Sequence, residues 1–128
     1  MPSRAKSAPT ATLAGPDSGD HIQTVTARTF GPQVLQARGP VAVEFMSYSC
    51  AYCGTMEPAL QLAAQRLGGK EKVCRVNIEA EPGLAQRYSI GGTPTLLMFR
   101  NGNELDRVEG PSPDLGRLMA TLTEPFGA

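Results

Sequence analysis

Pro40-Val41-Ala42-Val43-Glu44-Phe45-Met46 runs through Ser47-Tyr48-Ser49 into Cys50-Ala51-Tyr52-Cys53-Gly54. The first part is a continuous apolar run broken only by Glu44, the pattern of a strand buried on both faces of a sheet. From Ala51 the pattern turns helical. Met56, Ala59, Leu60, Ala63 and Leu67 recur at helix spacing, and Gly68-Gly69 closes the segment. Pro58 falls inside it and predicts a kink, because it removes one backbone donor. Two cysteines separated by two residues, set where a buried strand gives way to a helix, read as a redox pair.

The placement separates the two sulfurs in role. Cys50 at the helix start faces unpaired backbone N–H groups and the positive end of the helix dipole, so its anion is favoured. Cys53, three residues on, lies on the same face one turn deeper and is shielded from a bulky partner. Cys50 is therefore expected to attack and Cys53 to resolve. Lowering a thiol pKa from about 8.5 to about 7 raises the thiolate fraction at neutral pH roughly fifteen-fold, but the fall in intrinsic nucleophilicity leaves a gain of only about threefold. A stabilised Cys50 thiolate is above all a better leaving group, so the environment sets redox direction more than speed. The competing readings are a structural disulfide or two buried thiols. A metal centre needs about four ligands, and only Cys74 and the single His21 remain, so none is expected. Cys74 reads as a small core residue in a strand.

Bulk properties narrow the class. The 128 residues suffice for one domain with a real core, and the formal net charge of +0 gives no electrostatic case for nucleic acid or an anionic membrane. No apolar run approaches the ~20 residues of a membrane span. Three cysteines argue against a secreted disulfide framework and for a reduced compartment, expected to be the cytoplasm. No cofactor is called for.

Residues 1–20, rich in Ser, Ala, Pro, Thr and Gly, read as a disordered tail, and residues 21–128 as the folded domain. Ile22-Gln23-Thr24-Val25 alternates like a short edge strand. A helix is expected from Thr26 or Arg28 to about Ala37, with Gly39-Pro40 ending it. Val73 to Ile78 is the next strand, and Pro82 opens a short helix carrying Leu84, Ala85 and Tyr88. Gly91-Gly92-Thr93-Pro94 leads into the strand Thr95–Phe99. Asn101-Gly102 is a hairpin signal, and Leu105–Val108 returns antiparallel. Ser112-Pro113-Asp114 caps a last helix with Leu115, Leu118, Met119 and Leu122 on one face. The order β-α-β-α-β-α-β-β-α implies an α/β fold: a mixed central sheet of about five strands flanked by about four helices.

Over about residues 21 to 123 the chain resembles the thioredoxin family. The resemblance is carried by Val43-Glu44-Phe45, Cys50-Ala51-Tyr52-Cys53, Pro58, Val76-Asn77-Ile78-Glu79, Gly92-Thr93-Pro94-Thr95, Phe99-Arg100-Asn101-Gly102 and Gly110. It implies the thioredoxin fold and a thiol–disulfide oxidoreductase that reduces or exchanges protein disulfides. The implied partners are protein disulfide substrates and a reductase or other dithiol, with the chain a monomer. Pro94 matches the cis-proline that faces the redox pair, and the backbone of Thr93, beside Gly92, would pair with a substrate segment as an added strand. Glu44 matches the buried acid that takes the Cys53 proton through a water. Arg75 matches a buried lysine near that acid and would hold Glu44 ionised.

The departures are informative. Met46 and Ser49 stand where the family carries tryptophans, and the chain has no Trp. Ala51-Tyr52 replaces the usual Gly-Pro, and Gly54 stands where a basic residue is common. A tyrosine before the second cysteine is similar to glutaredoxins and disulfide isomerases and implies a less reducing couple. Tyr52 is expected to make a rim contact. The altered rim also motivates a second reading, a client-binding or chaperone module with incidental cysteines.

Overall fold

The computed structural model describes residues 19–127. Alternation along the central strand organises the core. In β2 (Pro40–Met46), Val41, Val43 and Phe45 face one layer, while Ala42 faces the other with Leu96 and Met98. Five strands form one sheet in the order β1-β3-β2-β4-β5, with β1 at Gln23–Thr24, β3 at Lys72–Asn77, β4 at Thr95–Arg100 and β5 at Asn103–Glu109. β3 runs parallel to β1 and β2, and β4 runs antiparallel to β2 and β5. The mixed sheet expected from the order of elements is the one found.

Helices cover both faces. α1 (Ala51–Leu67) and α3 (Leu115–Thr123) pack Met56, Leu60, Ala63, Leu118 and Leu122 on one side. α2 (Pro82–Arg87) contributes Leu84 to the other, where Phe30, Phe45, Phe99 and Tyr88 gather with ring centroids 5.4–6.0 Å apart. Offset and edge-on aromatic contacts of this kind add to plain area burial.

The first helix is shorter than its periodicity suggests. Instead of a run from Thr26 to Ala37, the chain forms turns and one π-helical segment, Gly31–Leu35. Pro32 cannot donate a backbone hydrogen bond there, and Gly31 favours no single conformation. Pro58, by contrast, sits inside α1 without ending it. At the β4–β5 hairpin, Asn101 and Gly102 both take positive φ (53° and 81°), as a two-residue primed turn requires. A Cβ on Gly102 would lie 3.0 Å from the Leu35 carbonyl oxygen, so the turn also needs the missing side chain. Asp114 caps α3 by accepting from the Arg117 N–H at 3.0 Å.

The tail expected over residues 1–20 lies outside the described residues except for Gly19 and Asp20. Asp20 is tied to the domain: its carboxylate accepts from Ile22 N, Gln61 Nε2 and Arg75 Nη1. Among the described residues no helix is long and apolar enough to cross a membrane.

Candidate active site

The C-terminal end of β2 delivers the chain to the surface. There a short turn, closed by Cys50 N–H donating to the Ser47 carbonyl at 3.1 Å, leads into α1. Cys50 is the N-cap residue of that helix: its sulfur accepts from the Cys53 N–H at 3.1 Å. The sulfur thus takes the place of the Ser, Thr, Asp or Asn oxygen usual at a helix start, and an anionic sulfur fills it better than a neutral one. Both cysteines are unbridged, Cys50 partly exposed and Cys53 buried.

The two thiols ionise differently. Burial opposes ionisation of Cys50. Hydrogen bonds from the Cys53 thiol, from the Thr93 side chain and from the backbone N–H groups of Cys53 and Tyr52 outweigh it and hold Cys50 below the ordinary thiol value. For Cys53 burial acts first and its hydrogen bond to Cys50 adds to it, so it is pushed up to about 11. Cys74, buried in β3, is also pushed up to about 11 by burial. The outer sulfur is the one prepared to carry charge.

A second segment faces the pair. The Thr93–Pro94 peptide is cis, Pro94 is buried, and the Cys50 thiol donates to the Thr93 carbonyl at 3.5 Å. The loop is held in shape by Thr95 Oγ1 donating to the Gly92 carbonyl (2.7 Å) and Gly110 N–H donating to the Pro94 carbonyl (2.9 Å). Tyr52, half-exposed at the start of α1, donates through its hydroxyl to the Pro111 carbonyl at 2.7 Å. Its partner follows β5 in the chain, and nothing in the local sequence indicates it. Ser49 donates to Glu79 at 2.8 Å and sits 2.8 Å from the Ser47 hydroxyl.

On β2, Glu44 is 1% exposed. Burial raises its pKa to about 7, the negative charge of Glu57 adds to the rise, and Arg75 opposes it. A buried acid titrating near neutrality suits proton exchange at pH 7. The expected pairing of Glu44 with Arg75 is not made. The two residues are register partners on β2 and β3, yet Arg75 donates to Glu57 Oε2 (2.6 Å) and Asp20 Oδ2 (3.0 Å). Charge influence reaches Glu44, but hydrogen bonds do not. Nothing local in the sequence marks Glu57 or Asp20: a polar residue on a helix and an acid at the edge of a polar tail carry no signal of their own. A cleft of about 270 Å³ lies beside the pair, lined by Met46, Ser47, Tyr48, Cys50, Cys53, Gly54, Glu57 and Arg75. Among the described residues no three His, Cys, Asp or Glu side chains cluster as a metal site would need.

A mixed sheet that sets a helix-capping cysteine and a buried partner thiol against a proline-bearing loop defines a thiol–disulfide oxidoreductase. Comparison with known proteins agrees. The family model described as Thioredoxin matches residues 21–124. The chain is 38% identical over 84 residues to a thioredoxin of Pseudomonas aeruginosa, covering 66% of this chain and 78% of that protein. It is 38% identical over 89 residues to thioredoxin 1 of Nostoc sp., covering 70% and 83%. With the chloroplastic thioredoxin M5 of Oryza sativa it shares 34% over 107 residues, 84% of this chain and 61% of that one. The chain belongs to the thioredoxin family.

Proposed function

We propose that this oxidoreductase reduces or exchanges disulfides in protein substrates by the following division of labour. The Cys50 thiolate attacks one sulfur of a substrate disulfide. That bond breaks, a mixed disulfide forms at Cys50, and the departing substrate sulfur takes up a proton. Cys53 gives its proton to Glu44 through a bridging water, and its thiolate attacks the Cys50 sulfur. The mixed disulfide breaks, and the second substrate sulfur leaves and is protonated. Two electrons have passed to the substrate, and the protein holds a Cys50–Cys53 disulfide, which an external dithiol reduces again.

The observation that carries this reading is the unequal treatment of the two sulfurs: one caps a helix and is held below the ordinary thiol value, while the other is buried and pushed up to about 11. The Thr93 backbone, facing Cys50, supports a strand-like grip on the substrate, with Gly92, Pro94 and Tyr52 at its margin. The proposed partners are a protein disulfide and a dithiol or reductase that recycles the pair, with the chain acting as a monomer. The small number of cysteines supports a reducing compartment such as the cytoplasm.

The test is reduction of insulin disulfides with dithiothreitol as electron source. Cys50→Ser should abolish catalysis, and Cys53→Ser should accumulate a covalent adduct through Cys50. Full activity in Cys50→Ser overturns the proposal.

A further inference from the structure

The charged cluster behind the redox pair is connected differently from what its strand register suggests. Glu44 and Arg75 lie side by side on neighbouring strands. Yet neither carboxyl oxygen of Glu44 accepts a hydrogen bond from any described residue, and Arg75 Nε has no acceptor. A buried carboxyl without a partner is costly, and an arginine within reach ordinarily relieves it. Here the terminal nitrogens of Arg75 are taken by Glu57 at 2.6 Å and Asp20 at 3.0 Å. Both carboxylates are partly exposed, 37% and 53% at the side chain, so pairing with them strips less water than pairing with Glu44. Gln61 braces the arrangement: its Nε2 donates to Asp20 at 2.6 Å and to Glu57 at 2.8 Å.

We propose that Glu57, braced by Gln61 and seconded by Asp20, is a positioning residue for proton transfer at Cys53: it holds the Arg75 guanidinium off Glu44, leaving that acid free to take and return a proton. This deepens the disulfide-exchange reading and rests on Glu44 being the proton acceptor. The charged groups bearing on Glu44 are Glu57 from α1 and Arg75 from β3, with Asp20 paired to Arg75. Its neighbour on β4, Leu96, carries no charge. Glu57 also lines the cleft beside Cys53.

The experiment is a carboxyl ¹³C NMR titration of Glu44 in the intact reduced protein, with the signal assigned through Glu44→Gln. It compares wild type, Glu57→Gln and Glu57→Asp, and Glu57→Gln in an Arg75→Met background. Freed from Glu57, Arg75 turns to Glu44, and the Glu44 midpoint should fall by about one pH unit or more. Glu57→Asp should restore most of the shift. In Arg75→Met the fall should shrink to less than half, the remainder being loss of the Glu57 charge itself. An unmoved midpoint in Glu57→Gln, or an equal fall with and without Arg75, overturns the proposal. If Glu57→Gln does not fold, Asp20→Asn serves: a downward shift supports the clamp and an unmoved midpoint overturns it. The parent reading fails separately, if Glu44→Gln leaves the pH profile of insulin reduction unchanged, whatever the NMR midpoints show.

Discussion

The Tyr52 hydroxyl donates a 2.7 Å hydrogen bond to the Pro111 carbonyl, tying the start of the redox helix to the segment that follows β5. Pro111 is buried, so its carbonyl has little access to water if the phenol is removed. Tyr52→Phe keeps the ring and loses only the bond. It should cost about 1 kcal/mol of stability, read as a lower denaturation midpoint in urea at unchanged slope.

The two active-site thiols should be separable by alkylation. Cys50 is partly exposed and held below the ordinary thiol value by its hydrogen bonds, in spite of burial. Cys53 and Cys74 are buried and pushed up to about 11. At pH 7 a thiol of that kind is thiolate in only about one molecule in ten thousand. Limiting iodoacetamide should therefore mark the peptide carrying Cys50 at its Cys50 residue alone, as peptide mass mapping would show. Equal labelling of Cys53 would contradict the asymmetry.

Glu44 links folding stability to pH with a definite sign. Its pKa is raised by burial from 4.5 to about 7. Between those values the native state holds a proton that the unfolded chain has released. The contribution of Glu44 is thus fully present below about pH 4.5 and is lost as pH rises through about 7, a span worth about 3 kcal/mol. Glu71, raised by burial to about 8, acts in the same direction. Glu44→Gln should flatten the decline between about pH 4.5 and 7 and leave the Glu71 share, so the variant gains on wild type as pH increases. Urea unfolding at a series of pH values measures this, and a wild-type stability that climbs across the window would exclude it.

A Cys50 thiolate favoured by its surroundings makes the reduced form easier to keep. The couple should accordingly be less reducing than one built on a thiol of ordinary acidity. Equilibration with glutathione buffers, followed by mass shift after alkylation, gives the value. Replacing Ala51-Tyr52 with Gly-Pro should move it to a more negative potential.

Much of this architecture is legible in the chain itself, because it depends on local rules. The apolar run from Val41 to Met46, the cysteine at the helix mouth, the Asn101-Gly102 turn and the Asp114 cap each declare themselves within a few residues. What escapes is set by tertiary geometry. The apolar spacing of Phe30, Val34 and Leu35 suits a full helix, but Gly31-Pro32 and packing against the sheet allow only a π-helical turn. Arg75 chooses among three carboxylates on separate elements, and only the three-dimensional positions of Asp20 and Glu57 show why Glu44 is passed over. Tyr52 meets Pro111 across 59 positions of chain, a distance no window of sequence spans.

The sulfur that closes the first turn of α1 is the same atom that gives up electrons. Oxidation therefore withdraws negative charge from the helix start in the act of storing the bond. Conformational strength and electron count become two readings of one thermodynamic cycle, and a melting curve recorded in each state would serve as a voltmeter for the pair.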